Sequence, residues 1–201
     1  MRVLIIGRGS IGTAIAEHFK KDAKHEYYHA SAQPFFAPTH AWDAIIFAQG
    51  ANCSNTCTSE EVMWDTSQMF EANCVFVLRI MRVIDTRQLR SVVIVSSLWE
   101  THTRTGKLSY TISKAAVGGL VRSLAAEKRE WYVNSLACGP VDNDMTRRTM
   151  SITDREAWIA RSPHGRLPEM AEVVNSAYFL ATSQHGISGQ CIHVDLGWSV
   201  V

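Results

Sequence analysis

Short apolar runs alternate along this chain with stretches in which apolar residues recur every three or four positions. The apolar runs predict buried strands, at Arg2–Ile6, Glu26–Ala30, 43–48, Ser91–Ser97, 132–137 and 190–195. The periodic stretches predict helices, at Ser10–Lys21, 60–87 (one long helix or two consecutive ones), 108–129 and 169–183. Strands that alternate with helices are typical of α/β proteins, in which helices cover both faces of a parallel sheet.

The segments between these elements are less regular. Residues 33–42 hold two prolines and two phenylalanines, which leaves room for at most the stub of a strand near Phe35 and Phe36. Residues 51–59 and 98–107 are interpreted as polar loops, and 145–167 as a charged insertion with a possible short helix at 154–160. No internal repeat or linker divides the chain, so the sequence predicts a single domain over residues 1–201.

Composition excludes several classes of protein. Of 201 residues 46% are hydrophobic and the net charge is +1, which disfavours both disorder and a nucleic-acid-binding surface. No apolar run reaches the ~18 residues of a membrane span, and the first residues lack a signal-peptide cleavage site. We therefore expect a cytoplasmic protein. The five cysteines are scattered, without the spacing of a zinc site, and predict reduced thiols and no metal.

A glycine-rich turn joins the first strand to the first helix. Such a turn lets the backbone approach a pyrophosphate, which the N–H groups and dipole of the helix N-terminus also favour. The predicted nucleotide contacts are Gly7, Arg8, Gly9, Ser10, Ile11 and Gly12. A tight turn that binds no ligand remains the alternative.

The end of the second predicted strand suggests which nucleotide is bound. An acidic residue there would accept a hydrogen bond from the adenosine ribose and favour NAD, but residues 29–33 contain no carboxylate. Ser31 lies in that stretch, and Arg8 could pair with a 2′-phosphate. The sequence thus predicts NADP(H), with NAD(H) as the alternative.

Tyr110 and Lys114 lie four positions apart, just inside the helix predicted at 108–129. Residues at this spacing share one face of a helix. An ammonium lowers the pKa of a nearby phenol, so the pair could exchange a proton with a carbonyl or an alcohol. A surface tyrosine stacked on a lysine stem is the alternative.

Four loops end at the same edge of the predicted sheet. Gly7, Gly50, Ser97 and Gly139 all follow the carboxyl ends of strands, where open α/β sheets bind their ligands. We therefore expect one site rather than several.

Taken together, the motifs resemble the short-chain dehydrogenase/reductase family over nearly the whole chain. They occur in the family's order, and Ser97 precedes Tyr110 by thirteen residues, as is usual there. The motifs are the glycine turn, Asn73, Ser97, Tyr110-x-x-x-Lys114, the run 138–141 and the tail 189–195. The resemblance implies a Rossmann-type doubly wound parallel sheet.

It also implies a role for each matching residue. Tyr110 would be the general acid/base and Lys114 would lower its pKa and bind the nicotinamide ribose, while Ser97 would hold the substrate oxygen. Asn73 would hold a water in a proton relay. Further nucleotide contacts would come from Ala48, Gln49, Gly50, Pro140, Val141 and Asn143. Each of these side chains could instead serve the fold alone.

The chain also departs from the family's pattern. Its glycine turn is one residue shorter, residues 47–50 replace the usual Asn-Asn-Ala-Gly, and Cys138 stands where proline is common. Asn143 and Leu196 are further substitutions, and the chain is shortened between the second and fourth strands, near the adenine site.

The sequence thus predicts an NAD(P)(H)-dependent oxidoreductase that interconverts a small-molecule carbonyl and an alcohol. A non-catalytic dinucleotide-binding sensor or scaffold is the alternative, and a sugar-nucleotide epimerase a third possibility. A polar or anionic substrate is suggested by His102, Arg104, Arg147 and Arg148. Small residues at 115–120 permit close helix packing, and the resemblance implies that this helix takes part in a homodimer or homotetramer, with packing inside the monomer as the alternative. Neither a nucleic acid nor a membrane is expected as a partner.

Overall fold

The computed structural model describes residues 1–31, 40–183 and 186–201. Its centre is a sheet of six parallel strands in the order β2-β1-β3-β4-β5-β6. Their bounds are Arg2–Ile6 (β1), Glu26–Ala30 (β2), Ala44–Phe47 (β3), Ser91–Ser97 (β4), Tyr132–Cys138 (β5) and Cys191–Val194 (β6). All six strands were predicted, whereas the stub near Phe35 and Phe36 lies outside the described residues.

Seven α-helices connect or flank these strands in the described part of the chain. They are Ser10–Lys21 (α1), Val62–Phe70 (α2), Phe76–Val83 (α3), Leu108–Glu127 (α4), Asp144–Thr149 (α5), Ile152–Arg161 (α6) and Met170–Thr182 (α7). None of the helices in the described ranges is both long and apolar enough to cross a lipid bilayer.

The two faces of the sheet carry separate hydrophobic cores because successive strand residues point to opposite sides. Val3 and Ile5 of β1 pack in the core that contains α1 and α7. Leu4 and Ile6 pack on the opposite face, against α3 and α4. β3 and β4 are buried over their whole length, which explains why they read as continuous apolar runs. The architecture is the predicted Rossmann-type doubly wound sheet.

The chain reverses its direction of winding between β1 and β3. β2 lies outside β1, and the chain then returns to β3 on the other side of β1. This switch point opens a crevice at the carboxyl ends of β1 and β3, where α/β proteins of this kind bind ligands.

The structure refines the prediction at residues 60–87. α2 and α3 are joined by a π-helical turn, Glu71–Val75, which contains Asn73. Such single-turn widenings of a helix often mark functional sites.

Two further segments are more ordered than predicted. The loop at 98–107 begins with a buried 3₁₀ turn, Leu98–Glu100, and the insertion at 145–167 contains α6 and much of α5. Both contribute to a third hydrophobic cluster, because Leu98 and Trp99 pack with Trp158 and Leu167. Aromatic side chains from distant parts of the chain therefore pack together at the carboxyl edge of the sheet.

Candidate active site

The three glycines of the first turn differ in the physical reason for which glycine is found at each position. Gly7 has a φ of +117°, and a Cβ there would lie 2.5 Å from the backbone nitrogen of Gln49. A Cβ on Gly12 would lie 2.0 Å from the carbonyl oxygen of Gly7. Both glycines are therefore required by packing within the chain itself.

Gly9 has no such internal reason. It has an ordinary φ of −70°, and a Cβ added to it meets nothing within 4 Å. Gly9 brings no side-chain cap to α1, whose first turn carries no acidic residue. The N-terminus of α1 is thus an open cradle that fits an anion such as a pyrophosphate. A turn that serves packing alone explains Gly7 and Gly12 but leaves Gly9 unexplained.

Hydrogen bonds attach the end of β2 to this turn. The Arg8 guanidinium donates to the carbonyl oxygen of His29 at 3.3 Å, and His29 Nε2 lies 2.8 Å from the carbonyl oxygen of Gly7. Arg8 and Ser31, which follow the ends of the neighbouring strands β1 and β2, therefore lie at the same corner of the sheet. Ser10 begins α1, and Ile11 contributes to the cavity described below.

Residues 48–50 lie between the glycine turn and the catalytic candidates. The Ala48 N–H donates to the carbonyl oxygen of Ile6 at 2.7 Å, which continues the pairing of β1 and β3 past the end of β3. The Gln49 side-chain amide is buried without a hydrogen-bond partner among the described residues. A Cβ on Gly50 would lie 3.0 Å from Asn73 Oδ1 and 3.6 Å from Lys114 Nζ. Gly50 thus lets two predicted catalytic side chains approach the backbone.

Asn73 is held in the π-helical turn by three hydrogen bonds of its side-chain amide. Its Oδ1 accepts from the N–H of Ala51 at 2.8 Å. Its Nδ2 donates to the carbonyl oxygen of Ala51 at 3.0 Å and to Ser113 Oγ at 2.9 Å. Ser113 lies on α4, one residue before Lys114. Asn73 therefore ties three segments together beside the lysine.

Ser97 and Tyr110 lie close together in the structure. Ser97 ends β4 and Tyr110 lies in the first turn of α4, and the Ser97 side chain is close enough to the phenol to lower its pKa. Ser97 Oγ also accepts from the N–H of Trp99 at 3.3 Å. The two residues line a common cavity.

Lys114 lies beneath this pair. It is 4% exposed, and its Nζ is 5.8 Å from the centroid of the Tyr110 ring. Its one hydrogen bond among the described residues is a long one, 3.4 Å, to the carbonyl oxygen of Val95. An ammonium has three donors, so this buried charge keeps donor capacity for a ligand.

The pKa of Tyr110 corrects one expectation. Burial raises the pKa of the phenol, against a lowering by the Ser97 hydrogen bond. The low-pKa phenol expected from the nearby lysine is therefore not a property of the protein alone. Burial also lowers the pKa of Lys114, to about 8. At neutral pH the phenol is protonated, as a general acid must be.

A cavity of about 470 Å³ opens above these groups. Its floor includes Ser97, Tyr110, Cys138 and Pro140, and its apolar walls include Trp99, Met150 and Trp158. Burial raises the pKa of the Cys138 thiol to about 12, so this sulfur lines the cavity as a neutral group.

The remaining residues predicted near β5 serve partly structural roles. Val141 is buried in the core shared with α1 and α7. Asn143 Oδ1 accepts from the N–H of Thr146 at 2.8 Å and caps α5. Pro140 alone of these three lines the cavity.

Of the four basic residues predicted near the substrate, only Arg104 lines the cavity. Arg147 pairs with Asp142, and Arg148 donates to the backbone of Asp144. His102 Nε2 lies 3.2 Å from the carbonyl oxygen of Ser199.

Sequence reasoning missed several residues of the cavity. Lys107 lines it, as do Asn52, Ser54, Thr146 and Asp154. Lys107 lies at the spacing of one helical turn before Tyr110, and this spacing could have drawn attention to it.

Comparisons with known proteins identify relatives of this chain. A family model described as enoyl-(acyl carrier protein) reductase matches residues 44–199. The 3-oxoacyl-(acyl-carrier-protein) reductase of Escherichia coli (strain K12) is 32% identical over 125 residues, which cover 61% of this chain and 51% of that protein. The chain thus spans about half the length of this curated relative.

Two solved structures share the fold over the whole chain. One is a short chain dehydrogenase family protein from Francisella tularensis subsp. tularensis SCHU S4, with a TM-score of 0.82, 17% identity and coverage of 100% of this chain and 99% of that one. The other is a gluconate 5-dehydrogenase from Burkholderia cenocepacia J2315 in complex with NADP and tartrate, with a TM-score of 0.79, 19% identity and coverage of 100% and 95%.

Proposed function

The chain belongs to the short-chain dehydrogenase/reductase family, and from this premise we propose that it is an NADP(H)-dependent oxidoreductase that interconverts a carbonyl and an alcohol. The observation that carries the proposal is the meeting of Ser97 and Tyr110 above the buried Lys114. Burying an ammonium that forms no ion pair within the described ranges costs stability, so a role in chemistry explains why the charge lies there.

NADP(H) fits the residues at the switch point. The open cradle at Gly9 and the N-terminus of α1 would hold the pyrophosphate. Arg8 and Ser31, at the end of β2, would contact a 2′-phosphate. The gluconate 5-dehydrogenase of similar fold was solved with NADP, which supports the choice over NAD(H), the alternative.

The nicotinamide, when bound, supplies or accepts the hydride. In the direction of reduction, Ser97 Oγ and the Tyr110 phenol would both donate hydrogen bonds to the carbonyl oxygen, and Tyr110 would give up its proton to it. The positive charge of Lys114 would stabilise the phenolate that remains. Asn73, fixed by its three hydrogen bonds, would keep Lys114 and its solvent connection in position.

The test is to replace Tyr110 by Phe and to follow NADPH oxidation with a panel of carbonyl compounds. Loss of the phenolic proton donor is expected to lower kcat/KM by about 10²- to 10⁴-fold and to leave NADPH binding nearly unchanged. Tyr132→Phe is the matched control because Tyr132 begins β5, at the opposite edge of the sheet. A Tyr110→Phe variant as active as the parent would refute the role of the phenol.

The non-catalytic alternative is not favoured. A sensor needs the nucleotide cradle, but it needs neither a hydroxyl pair that faces a cavity nor a buried ammonium below it. Turnover of any carbonyl substrate would remove this alternative.

We also infer a homo-oligomer. α4 carries an outward apolar stripe that includes Leu108 and Ile112, and α2 exposes Met63 and Trp64. Gly118, by contrast, packs inside the chain, because a Cβ there would lie 2.8 Å from Glu100 Oε1. The cytoplasmic location and the single-domain organisation remain predictions.

A further inference from the structure

Two cations line the cavity without an ion-pair partner among the residues that the structure describes. Arg104 and Lys107 both line the cavity that also contains Ser97 and Tyr110. Every salt bridge in the described ranges joins other residues. Two like charges in one cavity repel each other, and an anionic ligand would relieve that repulsion.

Lys107 is fixed in position by the loop after β3. Its Nζ donates to Asn52 Oδ1 at 2.9 Å, to the carbonyl oxygen of Cys53 at 3.0 Å and to Ser54 Oγ at 2.9 Å. All three ammonium donors are therefore in use. The same Nζ lies 5.7 Å from the centroid of the Tyr110 ring. Lys107 thus contributes a fixed positive charge beside the ring of Tyr110.

The surroundings of Arg104 differ from those of Lys107. Its side chain is exposed at the mouth of the cavity, and no hydrogen bond of its guanidinium is found within the described part of the chain. Its charge, after burial, contributes to the lowered pKa of Lys107, so the two cations are near each other. A free guanidinium can bind a carboxylate through two parallel hydrogen bonds.

The charges of the other lining residues limit the charge that a ligand of the cavity can carry. Asp154 is the one carboxylate among the lining residues described. Two cations and one carboxylate among the lining residues leave a net positive charge, which favours an anionic ligand such as a carboxylate. The remaining lining combines apolar rings with small polar groups.

We propose, on the premise of the oxidoreductase function above, that Arg104 and Lys107 form a subsite for a carboxylate of the substrate. Arg104 binds this group directly, and Lys107 supplies the fixed charge behind it. The substrates are accordingly oxo acids and the corresponding hydroxy acids, rather than neutral ketones or alcohols.

The first test compares oxo acids with their primary amides, which keep the carbonyl and remove the charge. We expect kcat/KM to favour the acid at least tenfold in the parent protein. Arg104→Leu should lower kcat/KM for the acid about 10- to 100-fold and change that for the amide less than threefold. Arg129→Leu is the matched control, since Arg129 is exposed between α4 and β5, away from the cavity. Equal losses on acid and amide, or a parent protein that does not favour the acid, would overturn the subsite.

A second measurement is independent of turnover. Calorimetric titration with benzoate and with benzamide probes the subsite with two inert aromatic ligands of similar shape. Binding of benzoate at least tenfold tighter than benzamide, lost in Arg104→Leu, would support the subsite even if no carbonyl is reduced and the proposed function fails. Equal binding of both ligands, or no binding of either, would refute it.

Discussion

At the scale of single residues, the most unusual group in the site is the buried ammonium of Lys114. Tyrosine and lysine four positions apart could be recognised from the sequence because helical geometry fixes their relation. The sequence could not give the pKa of either group. Their burial depends on β4, β5 and the turn after β3, which are distant along the chain.

The buried charge of Lys114 is expected to support activity and to lower stability. Its pKa of about 8 lies below the ordinary value of 10.5, so the folded protein loses this proton before the unfolded chain does. The free energy of unfolding should therefore rise between about pH 8 and pH 10.5. Lys114→Met should abolish that rise and stabilise the protein at pH 7 by about 1 to 3 kcal/mol, while it removes most of the activity.

The measurements are denaturant unfolding across this pH range and kcat/KM for reduction. In the parent protein kcat/KM should decline above about pH 8, as Lys114 loses its charge. Lys114→Arg should keep the charge and move the decline to higher pH. A Met variant that is less stable at pH 7 would contradict the assignment of an unpaired buried charge.

Substitutions at two positions of the glycine turn should distinguish its role in packing from its role in nucleotide binding. Gly12→Ala should destabilise the protein by about 2 kcal/mol or more, because its Cβ would meet the Gly7 carbonyl oxygen at 2.0 Å. Gly9→Ala should change the free energy of unfolding by less than about 1 kcal/mol and weaken NADPH binding severalfold in a fluorescence titration. Unchanged NADPH binding in Gly9→Ala would show that the cradle serves no ligand.

At the scale of elements, the site depends on how the loop at 51–59 is attached to α4. The sequence predicted a polar loop, but Asn55 is 6% exposed and is the link between the two segments. Its Nδ2 donates to Asp65 Oδ2 and Ser109 Oγ, both at 2.8 Å, and its Oδ1 accepts from the N–H of Ser109 at 3.1 Å. Local propensity could not reveal this link, because its partners lie far along the chain.

Asn55→Ala should therefore affect both the fold and the cavity. Loss of these hydrogen bonds is expected to cost about 2 kcal/mol of unfolding free energy and to raise KM, since the same loop holds Lys107. Thr58→Ala, at an exposed position of the loop, is the control and should change neither. Unfolding and steady-state kinetics on the two variants test the link, and equal behaviour of both would contradict it.

The packing of the two helices of the insertion likewise could not be predicted from the local sequence. Their charged sequence predicts a surface segment, and α6 does expose most of its residues. Trp158 is nevertheless buried, with its ring centroid 4.0 Å from that of Trp198 and 6.0 Å from that of Trp99. A single buried residue gives too weak a periodic signal to identify the packed face of a short helix.

At the scale of the whole molecule, the sheet was predictable and its surroundings only partly so. Continuous apolar runs identify β3 and β4 because both faces of these strands are covered. The order of the strands follows from the resemblance to a family, whereas the shape of the cavity depends on side chains from β4, α4, α5 and α6 that meet only after folding.

The exposed apolar faces of α2 and α4 lead to a prediction about assembly. We expect light scattering to find at least a dimer at micromolar concentration and Trp64→Glu to shift it toward the monomer, because Trp64 is 66% exposed and apolar patches of this kind bind partners. Ile152→Glu, on α6, is the control at a similarly exposed position. A monomeric parent protein, or dissociation caused equally by both substitutions, would contradict this interface.

The central claim is that the carboxyl edge of the sheet carries out hydride transfer with Tyr110 as proton donor. The most direct measurement uses NADPH deuterated at C4 of the nicotinamide and analyses the alcohol product by mass spectrometry. We predict one deuterium on the former carbonyl carbon with the parent protein and at least a hundredfold slower transfer with Tyr110→Phe. Binding of NADPH without deuterium in any product, or transfer at the parent rate in the variant, would contradict the claim.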